Sequence, residues 1–228
     1  MVETGLFFKI SAWVVPVLIA ITFHEAAHGW TAWKLGDDTA YKLGRVTFNP
    51  FRHVDPFGTL LLPGLLLLIS SGSAAFGYAK PVPVNFWRLR NRKRDTIIVA
   101  LAGPFSNLIL AIFSAGLLTI VVMFPEGGRS WAGAMLFASM FINLILFIFN
   151  MLPVPPLDGG RVAVVLLPPT LGAKLARLER VGFVIILAVL LVLPFLSGQF
   201  GVDMDLFKWL VIDPAQYLLR VILFSVGF

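Results

Sequence analysis

Residues 11–33 read SAWVVPVLIAITFHEAAHGWTAW, an apolar stretch long enough to cross a bilayer that nevertheless contains two histidines and a glutamate. A hydrocarbon core of about 30 Å requires roughly 20 apolar residues in a helix. Ionisable side chains are costly at that depth, so by default they indicate a functional site. His24, Glu25 and His28 are therefore the first residues that the sequence singles out.

The composition of the whole chain is that of a membrane protein. Of the 228 residues, 58% are hydrophobic and 13% are charged, and the mean hydropathy is +0.90. These values favour helices packed in lipid over a domain folded in water. The absence of cysteine excludes thiolate metal sites, so any transition-metal site must use His, Asp and Glu. The net charge of +6 comes from basic residues beside apolar segments, which is typical of membrane helices and argues against nucleic-acid binding.

The apolar segments predict an all-α polytopic membrane protein with about five to six transmembrane helices. Two segments are ambiguous, because 57–78 is interrupted by Pro63-Gly64 and 206–228 carries charges that allow a kinked span or an interfacial helix. We expect one membrane domain over residues 1–228, with a catalytic core at about 7–162 and C-terminal helices at about 181–228. The four clear spans lie near residues 7–33, 96–123, 132–152 and 181–201.

The basic residues favour a re-entrant hairpin for segment 57–78. Two basic groups flank this segment, and the positive-inside rule assigns both to the cytoplasm. A single crossing would separate them, whereas a segment that enters and returns, with Pro63-Gly64 as its turn, keeps them on one side. Non-helical backbone is tolerated at membrane depth where it lines a cavity. The two groups are Lys34, Lys42, Arg45 and Arg52, and Lys80, Arg88, Arg90, Arg92, Lys93 and Arg94.

The stretch His24-Glu25-Ala26-Ala27-His28 has the H-E-x-x-H spacing of zinc peptidases. In an α-helix the two histidines project about 40° apart and lie about 6 Å apart along the axis, so both imidazoles can reach one ion. Glu25 projects about 60° from His28, where it can contact a water at the metal without being a ligand. The alternative is a polar helix contact in which the three side chains satisfy one another. In a membrane span, however, buried polar groups need a strong partner, and a divalent cation provides one.

Two histidines leave a zinc ion without a third protein ligand, and Asp158 in NMLPVPPLDGGR is the leading candidate for it. The predicted topology brings this residue level with the C-terminal half of the first helix. Asp158 could instead cap a helix or form a plain turn with Gly159 and Gly160. The three prolines of this stretch favour extended backbone, and the two glycines allow close approach, which suits a carboxylate delivered by a rigid non-helical strand.

Several spaced motifs together resemble the site-2 protease family of intramembrane zinc metalloproteases, in its compact prokaryotic form without a PDZ or nucleotide-binding domain. The motifs span roughly residues 20–162 and are HEAAH, NPFRHVDPFGTLLLP, FGYAKPVPVN, LAGPFSN and NMLPVPPLDGGR. The resemblance implies one zinc ion held by His24, His28 and Asp158, with Glu25 as general base. It also implies that Asn150 orients substrate or stabilises an oxyanion.

Two further residues match motif positions of that family, and for both a structural role is an equal alternative. Asn107 could act on substrate or form a helix–helix hydrogen bond. His53 could contact substrate or cap a turn. The resemblance further implies transmembrane protein substrates and a location in the prokaryotic inner membrane, and the predicted topology places the active site toward the cytoplasm. The extended stretch KPVPV is a candidate docking edge for an unwound substrate, although Pro81 and Pro83 restrict its pairing.

The function predicted from the sequence is hydrolysis of peptide bonds in or near transmembrane segments. A metal-ion transporter or another metal-binding membrane protein is the alternative, since His and Asp within a membrane also mark ion pathways. Transport favours polar residues distributed over several spans, and the spans at 96–123 and 181–201 contain almost none. The sequence identifies neither the substrate nor the oligomeric state.

Overall fold

A computed structural model describes residues 5–69, 77–121, 123–193 and 205–228. Within these residues the regular structure is helical, and there are no strands. Three of the helices are long and apolar enough to cross a membrane, over Ile10–Lys34, Arg92–Val121 and Gly128–Met151. The α-helices of eight or more residues are α1 (Leu6–Lys34), α2 (Leu62–Ile69), α3 (Arg92–Val121), α4 (Glu126–Met151), α5 (Asp158–Leu166), α6 (Pro169–Arg177), α7 (Glu179–Leu187) and α8 (Asp213–Ser225), and single helical turns form at Thr39–Lys42 and Pro50–Arg52. The protein is thus an all-helical integral membrane protein.

The long helices α1, α3 and α4 pack against one another, and α8 covers the α3–α4 pair. Small side chains permit this close packing, since Ala111 and Ala115 of α3 are fully buried against Met140 and Leu144 of α4. Small residues at membrane helix contacts bring the backbones close enough for extensive van der Waals packing. The resulting bundle is the frame that holds the candidate site.

The end of α1 and the start of α3 lie at the same end of the bundle. Asp37 accepts a hydrogen bond from the backbone N–H of Asn85 at 2.6 Å. Asp38 forms an ion pair with Arg88 at 2.8 Å. A hydrogen bond from Lys42 and the charge of Arg88 lower the pKa of the Asp38 carboxyl. Helices α1 and α3 are therefore antiparallel, and the loops on either side of segment 57–78 are joined by polar contacts.

Segment 57–78 differs locally from its prediction. A π-helical segment, Pro56–Leu61, leads directly into α2. Pro63 and Gly64 lie inside α2, so the prediction that they form the turn of the hairpin was wrong. Pro63 lacks the backbone N–H that would donate within this helix, and the helix continues through it. Residues 70–76 lie outside the described part of the chain, and the hairpin remains a prediction.

The last two predicted spans are described only in part. The predicted span 181–201 corresponds to α7 followed by a π-helical segment, Ala188–Val192, and residues 194–204 lie outside the described part. The segment 206–228 contains a π-helical stretch, Lys208–Ile212, that continues into α8.

Candidate metal centre

The two histidines of the HEAAH stretch lie on one face of α1, as their spacing predicted. Their Nε2 atoms are 3.0 Å apart, and both side chains are buried at 9% exposure. The Oδ2 atom of Asp158 lies 3.2 Å from each Nε2. The three residues form a group whose potential ligand atoms all lie within 4.8 Å of one another. The structure thus brings together the three side chains that the sequence proposed as metal ligands.

Asp158 reaches this position because the chain turns tightly between α4 and α5. It is the first residue of α5, so the expectation that an extended strand delivers it was wrong: the loop is non-helical, but the carboxylate projects from a helix start. The two glycines that follow are required by packing. A Cβ atom on Gly159 would collide with the carbonyl of Met151, and one on Gly160 would collide with the backbone of Pro155. Both glycines are buried, and they let α5 begin directly against the loop that precedes it.

A chain of amide hydrogen bonds fixes the tautomer of His24. Asn143 donates from Nδ2 to the carbonyl of Ser139 at 2.9 Å, which leaves its Oδ1 as an acceptor. Asn107 donates from Nδ2 to that Oδ1 at 2.8 Å and to the carbonyl of Ala20 at 3.2 Å. The Oδ1 of Asn107 must then accept from Nδ1 of His24, 2.7 Å away. The Nδ1 of His24 carries the proton, and its Nε2 presents a lone pair.

The tautomer of His28 is fixed by the backbone. Its Nδ1 lies 2.7 Å from the carbonyl oxygen of Val99, and that oxygen can only accept a hydrogen bond. In the neutral ring, the form that binds a metal, the Nε2 of His28 therefore also presents a lone pair. Outer hydrogen bonds of this kind orient metal-binding histidines and increase their basicity.

With both imidazoles neutral, as metal ligation requires, three electron-rich atoms face one another. Two imidazole nitrogens and a carboxylate oxygen at 3.0–3.2 Å repel each other unless a cation lies among them. Two histidines and one carboxylate are a ligand set that zinc uses in hydrolytic sites, with a further position for water. Gly103 of α3 leaves room for the two imidazoles, since a Cβ atom there would lie 2.7 Å from Nε2 of His24 and collide with Nε2 of His28. The donor set and its surroundings fit a zinc ion.

Glu25 lies beside this group in a cavity of about 160 Å³. The cavity is lined by the three potential ligands, by Glu25 and by the extended segment, residues 80–84, which contains Val82. The Oε2 atom of Glu25 accepts a hydrogen bond from the N–H of Val82 at 2.6 Å. Because Pro81 and Pro83 have no N–H, the N–H of Val82 is the one main-chain donor that residues 81–83 can offer. The extended segment therefore holds the carboxylate of Glu25 at the wall of the cavity.

Asn150 also lines this cavity, and it lines a second cavity of about 210 Å³ that likewise reaches His24 and Glu25. Its Nδ2 donates to the carbonyl of Leu146 at 2.9 Å, one helical turn earlier. One N–H bond to the helix still leaves an amide with further capacity to donate and accept.

The structure gives the two remaining candidates supporting positions. Asn107 is fully buried, and its Oδ1 lies 2.7 Å from Nδ1 of His24, a position from which it can orient that imidazole. His53 is buried at 1% exposure and is not among the residues that line the two cavities reaching His24. Its Nε2 donates to the carbonyl of Thr47, and its own carbonyl accepts from the N–H of Lys80. His53 thus joins the loop after α1 to the extended segment.

Sequence reasoning missed Asn143. This residue is fully buried in α4 and completes the hydrogen-bond chain from His24 through Asn107. The available signal was a polar amide within a predicted membrane span, where such a group needs a partner. Its partner could not be identified without the α3–α4 packing.

The fold and the site define an integral membrane protein with the ligand set of a zinc peptidase. The family model described as peptidase family M50 matches residues 120–193. The candidate zinc metalloprotease YwhC of Bacillus subtilis is 43% identical over 187 residues, covering 79% of this chain and 80% of that protein. The candidate zinc metalloprotease Rip2 of Mycolicibacterium smegmatis is 33% identical over 183 residues, covering 80% of this chain and 67% of that protein. No solved structure gives a significant match.

The chain belongs to peptidase family M50, the site-2 proteases, and is a zinc-dependent metallopeptidase of the membrane. Its resemblance to that family, first seen in the spaced motifs, is confirmed, and so is zinc as its cofactor. The site-2 protease family acts on membrane-protein substrates in the bilayer.

Proposed function

We propose that this protein is an intramembrane endopeptidase that hydrolyses peptide bonds in or near the transmembrane segments of its substrates. In this proposal His24, His28 and Asp158 hold the zinc ion, and Glu25 is the general base. The observation that carries the proposal is the convergence of three potential ligand atoms at 3.0–3.2 Å beside the carboxylate of Glu25. The whole described chain would act as one membrane domain.

Each side chain has a defined task in this mechanism. Zinc, when bound, lowers the pKa of a coordinated water and polarises the peptide carbonyl. Glu25 accepts the proton of the attacking water and returns it to the leaving nitrogen. Asn150 donates a hydrogen bond to the substrate backbone or to the developing negative charge on the carbonyl oxygen. Asn107 acts only through His24, because it contacts that imidazole and lies outside the cavity linings.

The substrate must present extended backbone, because the carbonyls of an intact helix are engaged in hydrogen bonds. The extended segment at the cavity wall supports docking by strand addition. One side of this segment is occupied, since Arg45 donates to the carbonyls of Lys80 and Pro81. Within the described residues, the backbone N–H and C=O of Val84 have no hydrogen-bond partner. Val84, which lines the cavity, is therefore the residue of this segment best suited to pair with substrate.

We also propose an orientation in the prokaryotic inner membrane with the metal centre toward the cytoplasm. The basic residues after α1 and before α3 support this orientation through the positive-inside rule. The polar contacts between these two loops support a re-entrant path for segment 57–78, because they place both ends of that segment on the same side of the membrane.

The test compares two variants of the full-length protein in membranes, with single-span proteins as candidate substrates. Glu25→Gln keeps the side-chain volume and removes the base, so it should retain zinc and lose cleavage. Asp158→Ala removes a ligand and should lose zinc and cleavage together. Zinc content by elemental analysis and cleavage by gel mobility are the measurements. Cleavage by Glu25→Gln at the wild-type rate would refute the proposed mechanism, and full zinc occupancy in Asp158→Ala would remove that residue from the ligand set.

A further inference from the structure

A third cavity, of about 590 Å³, adjoins the metal centre and is not explained by the hydrolytic mechanism. It shares Val84, Phe86 and Arg161 with the cavity that contains Glu25. Polypeptide bound at the metal centre can therefore continue into this space along a common wall. The cavity lies where α3, α5 and the segment after Val84 meet, at the end of the bundle where α3 begins.

Two arginines line this cavity, and each lies against an aromatic ring. The guanidinium carbon of Arg92 is 3.1 Å from the ring centroid of Trp87. The guanidinium carbon of Arg161 is 5.3 Å from the ring centroid of Phe86. A ring beneath the planar face of a guanidinium fixes its position and leaves its N–H edge available to a carboxylate. The successive residues Phe86 and Trp87 thus hold the guanidinium groups of Arg161 and Arg92 at one cavity.

The carboxylate present in the cavity does not satisfy these arginines. Glu179 is the acidic residue of the lining, and its Oε1 lies 3.6 Å from Nη2 of Arg161. That separation exceeds the 2.7–2.9 Å typical of a charge-assisted hydrogen bond. Both side chains are also substantially exposed, at 39% and 54%, so the pair is weak and exchangeable. No ion pair with Arg92 occurs in the described ranges.

We propose that this cavity is a binding site for an acidic side chain of the substrate, located in the segment that leaves the metal centre, with Arg161 and Arg92 as the groups that recognise it. The proposal rests on the proposed endopeptidase function, because that function supplies the polypeptide. A substrate carboxylate would bond to the N–H edges of the two arginines and replace Glu179 beside Arg161. Acidic residues flanking the cleaved segment would then determine which membrane proteins are bound.

Binding to the inactive Glu25→Gln protein tests the site independently of cleavage. The protein is placed in nanodiscs of uncharged phosphatidylcholine and titrated with fluorescent single-span peptides that differ only in carrying Asp, Asn or Lys at positions flanking the span. The Asp peptide should bind at least about tenfold more tightly than the Lys peptide, because it gains a charge-assisted hydrogen bond. Arg161→Gln combined with Arg92→Gln should abolish this difference, and Glu179→Gln should increase the affinity for the Asp peptide.

Arg177→Gln is the matched control, because it removes the same charge from an exposed position on α6 that does not line the cavity. It should leave the preference for Asp unchanged, whereas Arg161→Glu should invert the preference toward Lys. Equal binding of the Asp and Lys peptides, or equal losses in Arg177→Gln and Arg161→Gln, would overturn the proposal.

Two further outcomes distinguish the peptide site from the proposed function and from a lipid site. If the wild-type protein cleaves no substrate while the charge preference persists, the proposed function fails and the peptide site stands. If the two arginines instead govern the binding of phosphatidylglycerol included in the nanodiscs, with no effect on peptide binding, the cavity binds a lipid phosphate and the proposal is wrong.

Discussion

At the scale of single residues, the candidate metal centre depends on groups outside the proposed ligand set. The Nδ1 atoms of both histidines are engaged, one by an amide oxygen of α3 and the other by a backbone carbonyl of α3. These two bonds direct both Nε2 lone pairs at Asp158. The amide is itself held by Asn143 of α4, so the orientation of His24 on α1 depends on residues of α3 and α4.

The contact between Asn107 and His24 leads to a prediction about metal affinity. Asn107→Ala removes the acceptor that fixes the tautomer and orientation of His24, so zinc affinity should fall about 10- to 100-fold. Ser114→Ala, on the same helix, is the control, because it removes a buried hydroxyl bonded to Ser139 that does not contact a histidine. Competition with a chelator measures the affinities. Equal zinc affinity in Asn107→Ala and wild type would show that this hydrogen bond does not control metal binding.

Asn150 should act in the chemical step or in substrate positioning, with little effect on metal binding. Its amide lines both cavities that reach Glu25, and loss of one preorganised donor typically costs about 100- to 1,000-fold in rate. Asn150→Ala should therefore be folded and zinc-replete, with severely reduced cleavage. A purely structural role, through the bond to Leu146, would cost only about 1 kcal/mol of stability. Near-normal turnover in this variant would support that structural role.

At the scale of helices, the site requires the close approach of α1 and α3, and Gly103 permits it. An added Cβ would lie 2.7 Å from Nε2 of His24 and collide with His28. Gly103→Ala should therefore lose zinc binding, because either the imidazoles or the helices must move apart. Gly116→Ala is the matched control on α3, since its Cβ would meet nothing within 4 Å. The control should retain zinc and be equally or slightly more stable, because alanine favours a helix. Equal zinc content in the two variants would contradict this account.

The sequence predicted the parts of this arrangement that depend on local periodicity. The common face of His24 and His28 follows from 3.6 residues per turn, and the three long helices follow from apolar length. Asp158 was predicted because the expected topology brings it level with the C-terminal half of the first helix, and because the neighbouring prolines and glycines suit a closely approaching carboxylate. The role of Gly103 and the bond from Val82 to Glu25 could not be predicted, because both depend on contacts between residues at least 57 positions apart. Local pattern carries no information about such distances.

At the scale of the whole molecule, the candidate metal ligands and the basic loops lie at the same end of the bundle. The end of α1, the start of α3 and the start of α5 meet there, and two loop contacts join the flanks of segment 57–78. Because α1 and α3 are antiparallel and contiguous at this end, a path that enters and returns connects them without a further crossing. This geometry and the basic residues support the same topology by independent routes.

Accessibility labelling tests that topology directly, because the native chain contains no cysteine and each introduced thiol would be the sole target. Leu43→Cys and Lys93→Cys place exposed thiols in the loop after α1 and in the first turn of α3, and Glu126→Cys places one at the start of α4. A membrane-impermeant maleimide should label positions 43 and 93 only from the cytoplasmic face, since both lie among the basic residues that the positive-inside rule retains there. Position 126 should be labelled only from the opposite face, because α3 crosses the membrane between 93 and 126. Labelling of 43 and 93 from opposite faces would mean that segment 57–78 spans the bilayer and that the hairpin is wrong. Labelling of both from the outer face would preserve the hairpin and reverse the orientation of the entire protein.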